Sequence, residues 1–112
     1  MRKSTLKLTL KKKWFDLILK GEKKEEYREI KDYWISRLTI PMPFSEDGYE
    51  FICDEFACVE FSNGYGNKVE KILIECKSIE IKEGKTEWGA EKETEYFVIT
   101  LGEIVSTSNI YR

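Results

Sequence analysis

The chain contains no histidine, and this absence removes several kinds of chemistry at once. Histidine is the side chain whose ordinary pKa lies nearest neutral pH, so the usual proton shuttle and every histidine-assisted nucleophile are excluded. Most zinc sites need histidine or closely paired cysteines, and the chain has no CxxC spacing either. Any catalytic step must therefore use Lys, Asp, Glu, Tyr, Cys or hydroxyl groups, and we expect no metal and no cofactor.

Long hydrophobic runs are also missing. No apolar stretch approaches the roughly 18 residues that a membrane-spanning helix needs. Lysines at residues 7 and 11–13 interrupt the apolar residues near the N-terminus, so no secretory signal is expected. The cysteines, Cys53, Cys58 and Cys76, are odd in number and typical of free thiols in a reducing compartment, with Cys76 in the core. We therefore expect a cytoplasmic protein that does not associate with membranes.

Proline and glycine are scarce, with 2 Pro and 7 Gly among 112 residues. Disordered and low-complexity chains are usually richer in both, so this composition favours an ordered protein. A chain of this length can bury one modest hydrophobic core but not two. Residues 1–112 are therefore predicted to form a single domain.

The net charge of −2 hides an uneven distribution of charged residues along the chain. Residues 1–37 carry twelve Lys or Arg against six Asp or Glu, whereas residues 38–112 carry seven against fifteen. A basic face on an otherwise acidic body is typical of a local site for polyanions. The alternative is that the two halves pair with each other across the fold, and the sequence leaves both interpretations open.

Hydrophobic periodicity predicts the elements of the first part of the chain. Residues 6–10 alternate leucine with polar residues and indicate a half-buried strand. Residues 12–20 carry apolar side chains at helical spacing, and Gly21 suits a left-handed C-terminal cap, so a short amphipathic helix is expected there. Residues 25–30 then predict a second strand, and residues 31–38 predict a second short helix.

The second part of the chain is predicted to be rich in strands. Residues 40–54 contain turn-forming residues and are predicted to be a surface loop, with a suggested role as a lid over the site. In the long strand the hydrophobic phase changes between Lys77 and Ile79, which indicates a bulge or corner. The elements after the loop are, in order, a strand at residues 56–61, a turn at 63–66, the long strand at 69–81, a charged connection at 83–95, a strand at 96–101 and a short final segment from 102.

The junction between the first helix and the second strand concentrates charge. In an extended strand side chains alternate between faces, so Glu26 and Arg28 share one face and Tyr27 takes the other. Lys23 lies in the turn just before this strand, so an ammonium, a carboxylate and a guanidinium are predicted to meet. The alternative is an ordinary solvated turn in a chain that is 36% charged.

Five to six strands with two or three short helices in about a hundred residues predict an α+β fold, a compact mixed β-barrel. A doubly wound α/β fold would need more regular alternation of strands and helices. Trp14 and Phe15 lie on the apolar stripe of the first helix and are interpreted either as core residues or as ligand-stacking aromatics.

The run Gly21-x-Lys23-x-x-Glu26-x-Arg28 after an amphipathic helix resembles the GxKxxExR signature of the ASCH domain, a PUA-like family that includes small stand-alone bacterial and phage members. The resemblance covers nearly the whole chain, because further similar segments occur in order at residues 6–8, 14–18, 63–65, 87–89 and 97–104. It implies a PUA-like β-barrel with a cleft between barrel and helices, lined by the signature and proposed to bind RNA or a nucleotide.

Some small bacterial relatives of this kind hydrolyse acylated pyrimidine nucleosides. In those proteins a threonine nucleophile stands at the position of Glu26, beside a lysine that matches Lys23. The glutamate in this chain departs from that pattern and puts the amidohydrolase activity in question.

The first functional hypothesis is a module that binds RNA or a nucleotide-like ligand. Basic side chains would contact phosphate, aromatic rings would stack on a base, and Glu26 would accept hydrogen bonds from a base or a ribose. The residues predicted to bind are Lys13, Lys23, Glu26, Tyr27, Arg28, Trp34, Arg37, Asn63 and Tyr65.

Two other hypotheses use the same residues differently. In a small hydrolase or ribonuclease, Glu26 would be the general base and Lys23 would stabilise the developing negative charge. In a structural or partner-binding module, Lys23, Glu26 and Arg28 would form an ion-pair network that ties the helix to the barrel, which contributes to stability only if it is partly buried.

Overall fold

The structure, a computed structural model, describes residues 4–41 and 51–112. The hydrophobic patterns of the sequence appear there as two α-helices, seven strands and one 3₁₀ turn. Along the chain these elements are β1 (Thr5–Leu10), α1 (Lys12–Leu19), β2 (Glu25–Arg28), α2 (Asp32–Leu38), β3 (Thr39–Pro41), β4 (Phe51–Cys53), β5 (Cys58–Asn63), β6 (Lys71–Glu83), the 3₁₀ turn (Thr86–Trp88) and β7 (Glu95–Ser108).

Five of the strands form one sheet in the order β1-β5-β6-β7-β2, and β3 and β4 form a separate two-stranded ribbon. β1 runs parallel to β5, whereas the other neighbours in the large sheet are antiparallel. β1 and β2 are therefore the two edges of the sheet, and α1 lies between them in the chain. The predicted α+β class is confirmed.

The main apolar core lies between the sheet and the helices. It forms because the leucines of β1 and the apolar stripe of α1 point to the same side as the inward residues of β5, β6 and β7. Phe15 of α1 and Phe61 and Phe97 of the sheet are fully buried at its centre. Cys76, predicted to belong to the core, is only half-buried and packs against the edge of this cluster.

Bulges interrupt the pairing of β6 with β7. The register shifts between Leu73 and Ile74, between Ile74 and Cys76, and between Cys76 and Ser78. The last of these confirms the bulge predicted from the change of hydrophobic phase near Lys77. Since bulges increase the local twist, they bend the two longest strands of the sheet.

Several predicted strand boundaries were wrong: β2 ends at Arg28 and not at residue 30, and β6 spans residues 71–83 and not 69–81. β7 continues through Gly102 to Ser108, where a separate final segment was expected, because β6 pairs with it along its whole length. β5 occupies residues 58–63 instead of 56–61, since its register is set by pairing with β1.

The loop predicted at residues 40–54 is partly a strand pair. Residues 40–41 and 51–53 belong to the β3–β4 ribbon, in which Ile40 pairs with Ile52. Residues 42–50, and with them most of the suggested lid, lie outside the described residues.

The helices were predicted more closely. α1 ends at Leu19, and Gly21 follows with a left-handed φ of 79°, which confirms the glycine cap. The second predicted helix is confirmed as α2, within one residue. Neither helix in the described part of the chain is long and apolar enough to cross a membrane.

Candidate functional site

The turn between α1 and β2 places Lys23 beneath the start of β2. The chain reverses after α1, and the backbone N–H groups of Glu22 and Lys23 both donate to the carbonyl of Leu17, at 2.9 and 3.1 Å. β2 then pairs with β7, with Glu26 opposite the fully buried Ile99. The Glu26 side chain is therefore held at a position where the neighbouring side chains are mostly buried.

Glu26 joins two cations. Its Oε1 lies 3.0 Å from Nζ of Lys23, and its Oε2 lies 2.7 Å from Nη2 of Arg28. Lys23 also donates a hydrogen bond to the carbonyl of Glu25. Glu26 and Arg28 lie on one face of β2, as strand alternation predicted, and the three charges of the junction do converge.

Lys23 is almost completely buried, with 2% of its surface exposed. Its ammonium lies 4.9 Å from the centre of the Tyr27 ring and 5.4 Å from that of Trp14. Burial lowers the pKa of Lys23 below its usual value, and the Glu26 carboxylate opposes this change. Lys23 was predicted to contact phosphate, and the structure shows its ammonium bound to protein groups and covered by two rings.

A cavity of ≈ 510 Å³ opens in front of Glu26 and Arg28, and we call it the front cavity. It lies between the end of β1, the start of α1, β2 and the loop after β5. Its lining residues are Thr9, Leu10, Lys11, Lys12, Trp14, Glu26, Arg28, Asn63, Gly64 and Tyr65.

Arg28 connects the two edges of the sheet. Its Nη2 lies 3.3 Å from the carbonyl of Thr9 in β1, to which it donates, and its guanidinium carbon lies 5.0 Å from the centre of the Trp34 ring. Its Nε is buried and makes no hydrogen bond to the described residues. The guanidinium thus has a fixed position at the wall of the front cavity.

Tyr27 points to the opposite face of β2, away from the front cavity. Its hydroxyl donates to Glu25 at 2.8 Å and accepts the backbone N–H of Lys85 at 2.9 Å. Its ring centre lies 5.7 Å from that of Tyr96. Burial is the main reason why the pKa of Tyr27 is raised. Tyr27 was predicted to stack on a base, and the structure shows its ring packed between protein groups.

The connection at residues 83–95 packs against the two aromatic rings that lie next to the Lys23 ammonium. Gly84 lies against the ring of Tyr27, and Gly89 lies against the ring of Trp14, where an added Cβ would be only 3.0 Å from the indole. Gly89 also has a φ of 104°, which glycine adopts without strain. These two glycines let the connection cover both aromatic rings that flank the buried ammonium.

Two further predicted residues, Asn63 and Tyr65, line the front cavity. Tyr65 is 89% exposed at the rim of the cavity, so its ring is accessible to a ligand. The side-chain amide of Asn63 donates to Glu70 at 2.9 Å, which holds the start of this loop in place.

The other predicted residues lie outside the front cavity. Lys13 lies 4.6 Å from the centre of the Trp14 ring and does not line the cavity. Trp34 contacts Arg28 at the cavity wall, and Arg37 lies further along α2. The structure therefore brings together only part of the predicted set.

Four residues that line the front cavity were not predicted from the sequence, namely Thr9, Lys11, Lys12 and Gly64. Leu10, a core residue at the end of β1, lines the cavity as well. Lys11 and Lys12, which we call the rim lysines, follow β1 directly. The basic run at residues 11–13 was a signal that could have identified them. Trp14, interpreted as core or stacking, is half-buried and forms part of the cavity wall, whereas Phe15 is core.

In the described part of the chain, no lysine or arginine of residues 4–37 forms an ion pair with an acidic residue of the second half. The ion pair that joins the two halves there is between Arg112 Nη1 and Asp16 Oδ1, at 2.7 Å, so the second half supplies the cation. Lys12 pairs with Asp16 within α1, at 2.6 Å, and Lys11 is exposed. The rim of the front cavity therefore keeps positive charge.

Metal binding has no support in the described part of the chain. Within residues 4–41 and 51–112, no cluster of three or more His, Cys, Asp or Glu side chains is placed to hold a metal ion.

Comparison of the chain with protein-family models, with curated proteins and with solved structures found no match. The resemblance to the ASCH domain therefore rests on the motif residues themselves.

Proposed function

We propose that this protein binds a nucleotide, free or as a unit of RNA, in the front cavity. The observation that carries this proposal is the pairing of Glu26 and Arg28 at the cavity wall. A buried carboxylate and a guanidinium held 2.7 Å apart offer an acceptor and a donor side by side. Such an edge is complementary to a nucleobase or a ribose, which present donors and acceptors at similar spacing.

The rest of the cavity supports the same ligand class. Trp14 and Tyr65 supply aromatic surfaces, and stacking on a base contributes about 1–3 kcal/mol. The rim lysines lie where a phosphate group would meet positive charge. Lys23 takes no direct part in this scheme, since it lies behind the Glu26 carboxylate and forms an ion pair with it at 3.0 Å.

We also propose that the sheet is the curved β-sheet of a PUA-like barrel, as the resemblance to the ASCH domain implies. The hydrogen bond from Arg28 on one edge strand to Thr9 on the other supports a strongly curved sheet. The bulges in β6 and β7 support it too, because bulges are a common means of bending barrel strands.

Calorimetric titration of the protein with each nucleoside 5′-monophosphate tests this function. We expect a dissociation constant below millimolar for at least one of them at low salt. Glu26→Gln and Arg28→Gln should each weaken binding by about tenfold or more, since each leaves a buried partner unpaired. Lys92→Gln, at an exposed position outside the front cavity, is the matched control and should bind as the unmodified protein does.

Affinity weaker than millimolar for every nucleotide and for short RNA would refute the proposal. The proposal also fails if Glu26→Gln and Arg28→Gln bind as well as Lys92→Gln while remaining folded.

A hydrolase acting on RNA or a modified nucleoside is the second candidate, because the Glu26 carboxylate lines the cavity. A carboxylate has about four lone-pair positions, so two ion pairs still leave Glu26 able to accept a hydrogen bond from an attacking water. Binding is the better supported function, since Lys23 is buried and does not line the cavity where negative charge would develop. Glu26→Gln separates the two: a hydrolase variant would lose turnover of short RNA or acylated cytidine while keeping most of its affinity.

A further inference from the structure

A second cavity lies on the other side of the aromatic residues of α2. Its volume is ≈ 460 Å³, and we call it the lateral cavity. Lys7 of β1 and Arg37 of α2 both line it, and neither forms an ion pair with another described residue. One acidic residue, Asp54, also lines it; it accepts the backbone N–H of Glu55 at 2.8 Å and takes part in a further interaction. Among the residues that the structure describes, the two cations of the lateral cavity thus have no carboxylate partner.

Two arginines and two aromatic side chains form a continuous series of contacts between the two cavities. We call this series the ladder. Arg28, at the front cavity, lies 5.0 Å from the centre of the Trp34 ring, and Arg37, at the lateral cavity, lies 5.9 Å from the same ring. Arg37 also lies 5.3 Å from the ring of Tyr33, which meets Trp34 edge to face at 4.8 Å. Tyr33 is 56% exposed, so one end of the ladder is open to a stacking partner.

The outward face of β1 connects the same two cavities. Side chains alternate along a strand, so Thr5, Lys7 and Thr9 share one face. Thr9 lines the front cavity, whereas Thr5 and Lys7 line the lateral cavity. Thr5 and Thr9 lie four residues apart, which in a strand is about 13 Å, so the two cavities are within reach of a short oligomer.

We propose that the ladder and the two cavities form one track for single-stranded nucleic acid, so that the ligand is an oligonucleotide and not a free nucleotide. The proposal rests on the nucleotide-binding function of the front cavity and extends it. One nucleotide unit occupies the front cavity, and the strand then follows β1 and α2. The phosphate group of an adjoining unit meets Lys7 and Arg37 in the lateral cavity, and an adjoining base stacks on Tyr33.

Alternating cations and aromatic rings suit a single strand, because each nucleotide brings one phosphate group and one base with an exposed face. A mononucleotide has only one of each and cannot occupy both cavities. Double-stranded nucleic acid keeps its bases paired and stacked, so they are not available to Tyr33.

Fluorescence anisotropy with three kinds of ligand tests the track: a random-sequence hexanucleotide RNA, a DNA of the same length, and the four nucleoside monophosphates as competitors. We expect the hexanucleotide to bind at least tenfold more tightly than any monophosphate. The double variant Lys7→Gln/Arg37→Gln should bind the hexanucleotide about tenfold more weakly and the monophosphates as before. The slope of log affinity against log salt should become shallower by about 0.7 for each phosphate group that no longer meets a cation.

Tyr33→Ala should weaken hexanucleotide binding by about fivefold or more, again without effect on the monophosphates. Lys92→Gln is the charge-matched control for one removed cation and should change neither affinity. The RNA and DNA probes distinguish the two sources of single strands, since hydrogen bonds to the ribose hydroxyl would favour RNA. Unchanged thermal unfolding temperatures show that these exposed substitutions leave the fold intact.

Equal affinity for hexanucleotide and monophosphate would overturn the track while leaving the function of the front cavity in place. So would a double variant that binds the hexanucleotide as tightly as the unmodified protein. If no probe binds the unmodified protein, the front-cavity function fails and the track fails with it.

Discussion

Lys23 and Glu26 form a buried ion pair, with Nζ and Oε1 3.0 Å apart and side chains only 1% and 9% exposed. The spacing of three residues allows this pair to form across the end of the turn. The turn delivers the ammonium beneath the strand, and the strand directs the carboxylate toward it. Lys23 is thus the nearly inaccessible member of the pair, and Glu26 is the member that lines the front cavity.

Lys23→Met should destabilise the fold, since it removes one partner of a buried pair. Breaking such a pair costs about 3–5 kcal/mol, and Arg28 still compensates part of the Glu26 charge, so we expect about 3 kcal/mol. Urea denaturation measures this decrease in the free energy of unfolding. Lys24→Met, at the exposed neighbouring position, is the control and should cost less than about 0.5 kcal/mol. A decrease below about 1 kcal/mol for Lys23→Met would contradict a stabilising role for the pair.

The ion pair of Arg112 with Glu70 should make stability depend on acid pH. Hydrogen bonds from Arg112 are the main reason why the pKa of Glu70 falls from 4.5 to about 2. The unfolded chain therefore binds a proton at Glu70 before the folded protein does, so the stabilisation is complete above pH 4.5 and is lost as the pH falls toward 2.

Arg112→Gln should remove that part of the acid dependence. We expect the variant to be less stable than the unmodified protein at neutral pH, and the difference to shrink as the pH falls through this window. Thermal unfolding temperatures across the range measure it. Arg37→Gln, which removes an arginine without an ion pair in the described residues, should show no such convergence. A constant difference at every pH would argue against the assignment.

Cys76 should react slowly with alkylating reagents. Burial raises the pKa of its thiol from 9.0 to about 11, so the thiolate fraction at neutral pH is about a hundredfold below that of an ordinary cysteine. Iodoacetamide labelling, followed by mass spectrometry of each cysteine peptide, compares the folded protein with the protein unfolded in urea. Labelling of Cys76 at equal rates in both states would show that its thiol is not protected.

Gly84→Ala should destabilise the fold, because it disturbs the packing of the connection at residues 83–95 against the Tyr27 ring next to Lys23. An added Cβ would lie 2.6 and 2.7 Å from ring atoms of Tyr27 and 2.8 Å from the Cβ of Ala90. The Tyr27 ring cannot easily move, because its hydroxyl is bonded on two sides. Overpacking of this kind costs about 1–3 kcal/mol, measurable by urea denaturation. Glu83→Ala, at the exposed neighbouring position, should be nearly neutral, and equal stability of the two variants would show that the connection can shift.

The strands and helices with a clear hydrophobic period were predictable from the sequence. Leu6, Leu8 and Leu10 indicated β1, and Gly21 marked the end of α1, because each pattern reports a local preference. How far β7 extends beyond Leu101 depends on its pairing with β6, and where β5 begins depends on its pairing with β1. Pairing across the sheet overrides local preference there, and no local pattern reports it.

The candidate site was predictable in part, for the same reason. Alternation in β2 was enough to place Glu26 and Arg28 on one face and Tyr27 on the other. The alternation could not predict the burial of Lys23, because that burial depends on the rings of Trp14 and Tyr27 that cover it. The rim lysines and Gly64 line the front cavity together with Glu26 and Arg28. No local pattern reports which distant parts of the chain meet there.

The hydrogen bond from Arg28 to Thr9 has a consequence for how binding and stability are coupled. It is a clasp between the two edge strands of the sheet, and the same guanidinium faces the front cavity. A ligand that engages Arg28 in its present position therefore also strengthens the clasp, whereas one that draws the guanidinium outward weakens it. A ligand bound in the front cavity would thus alter how firmly the sheet edges are held together, with no moving domain required.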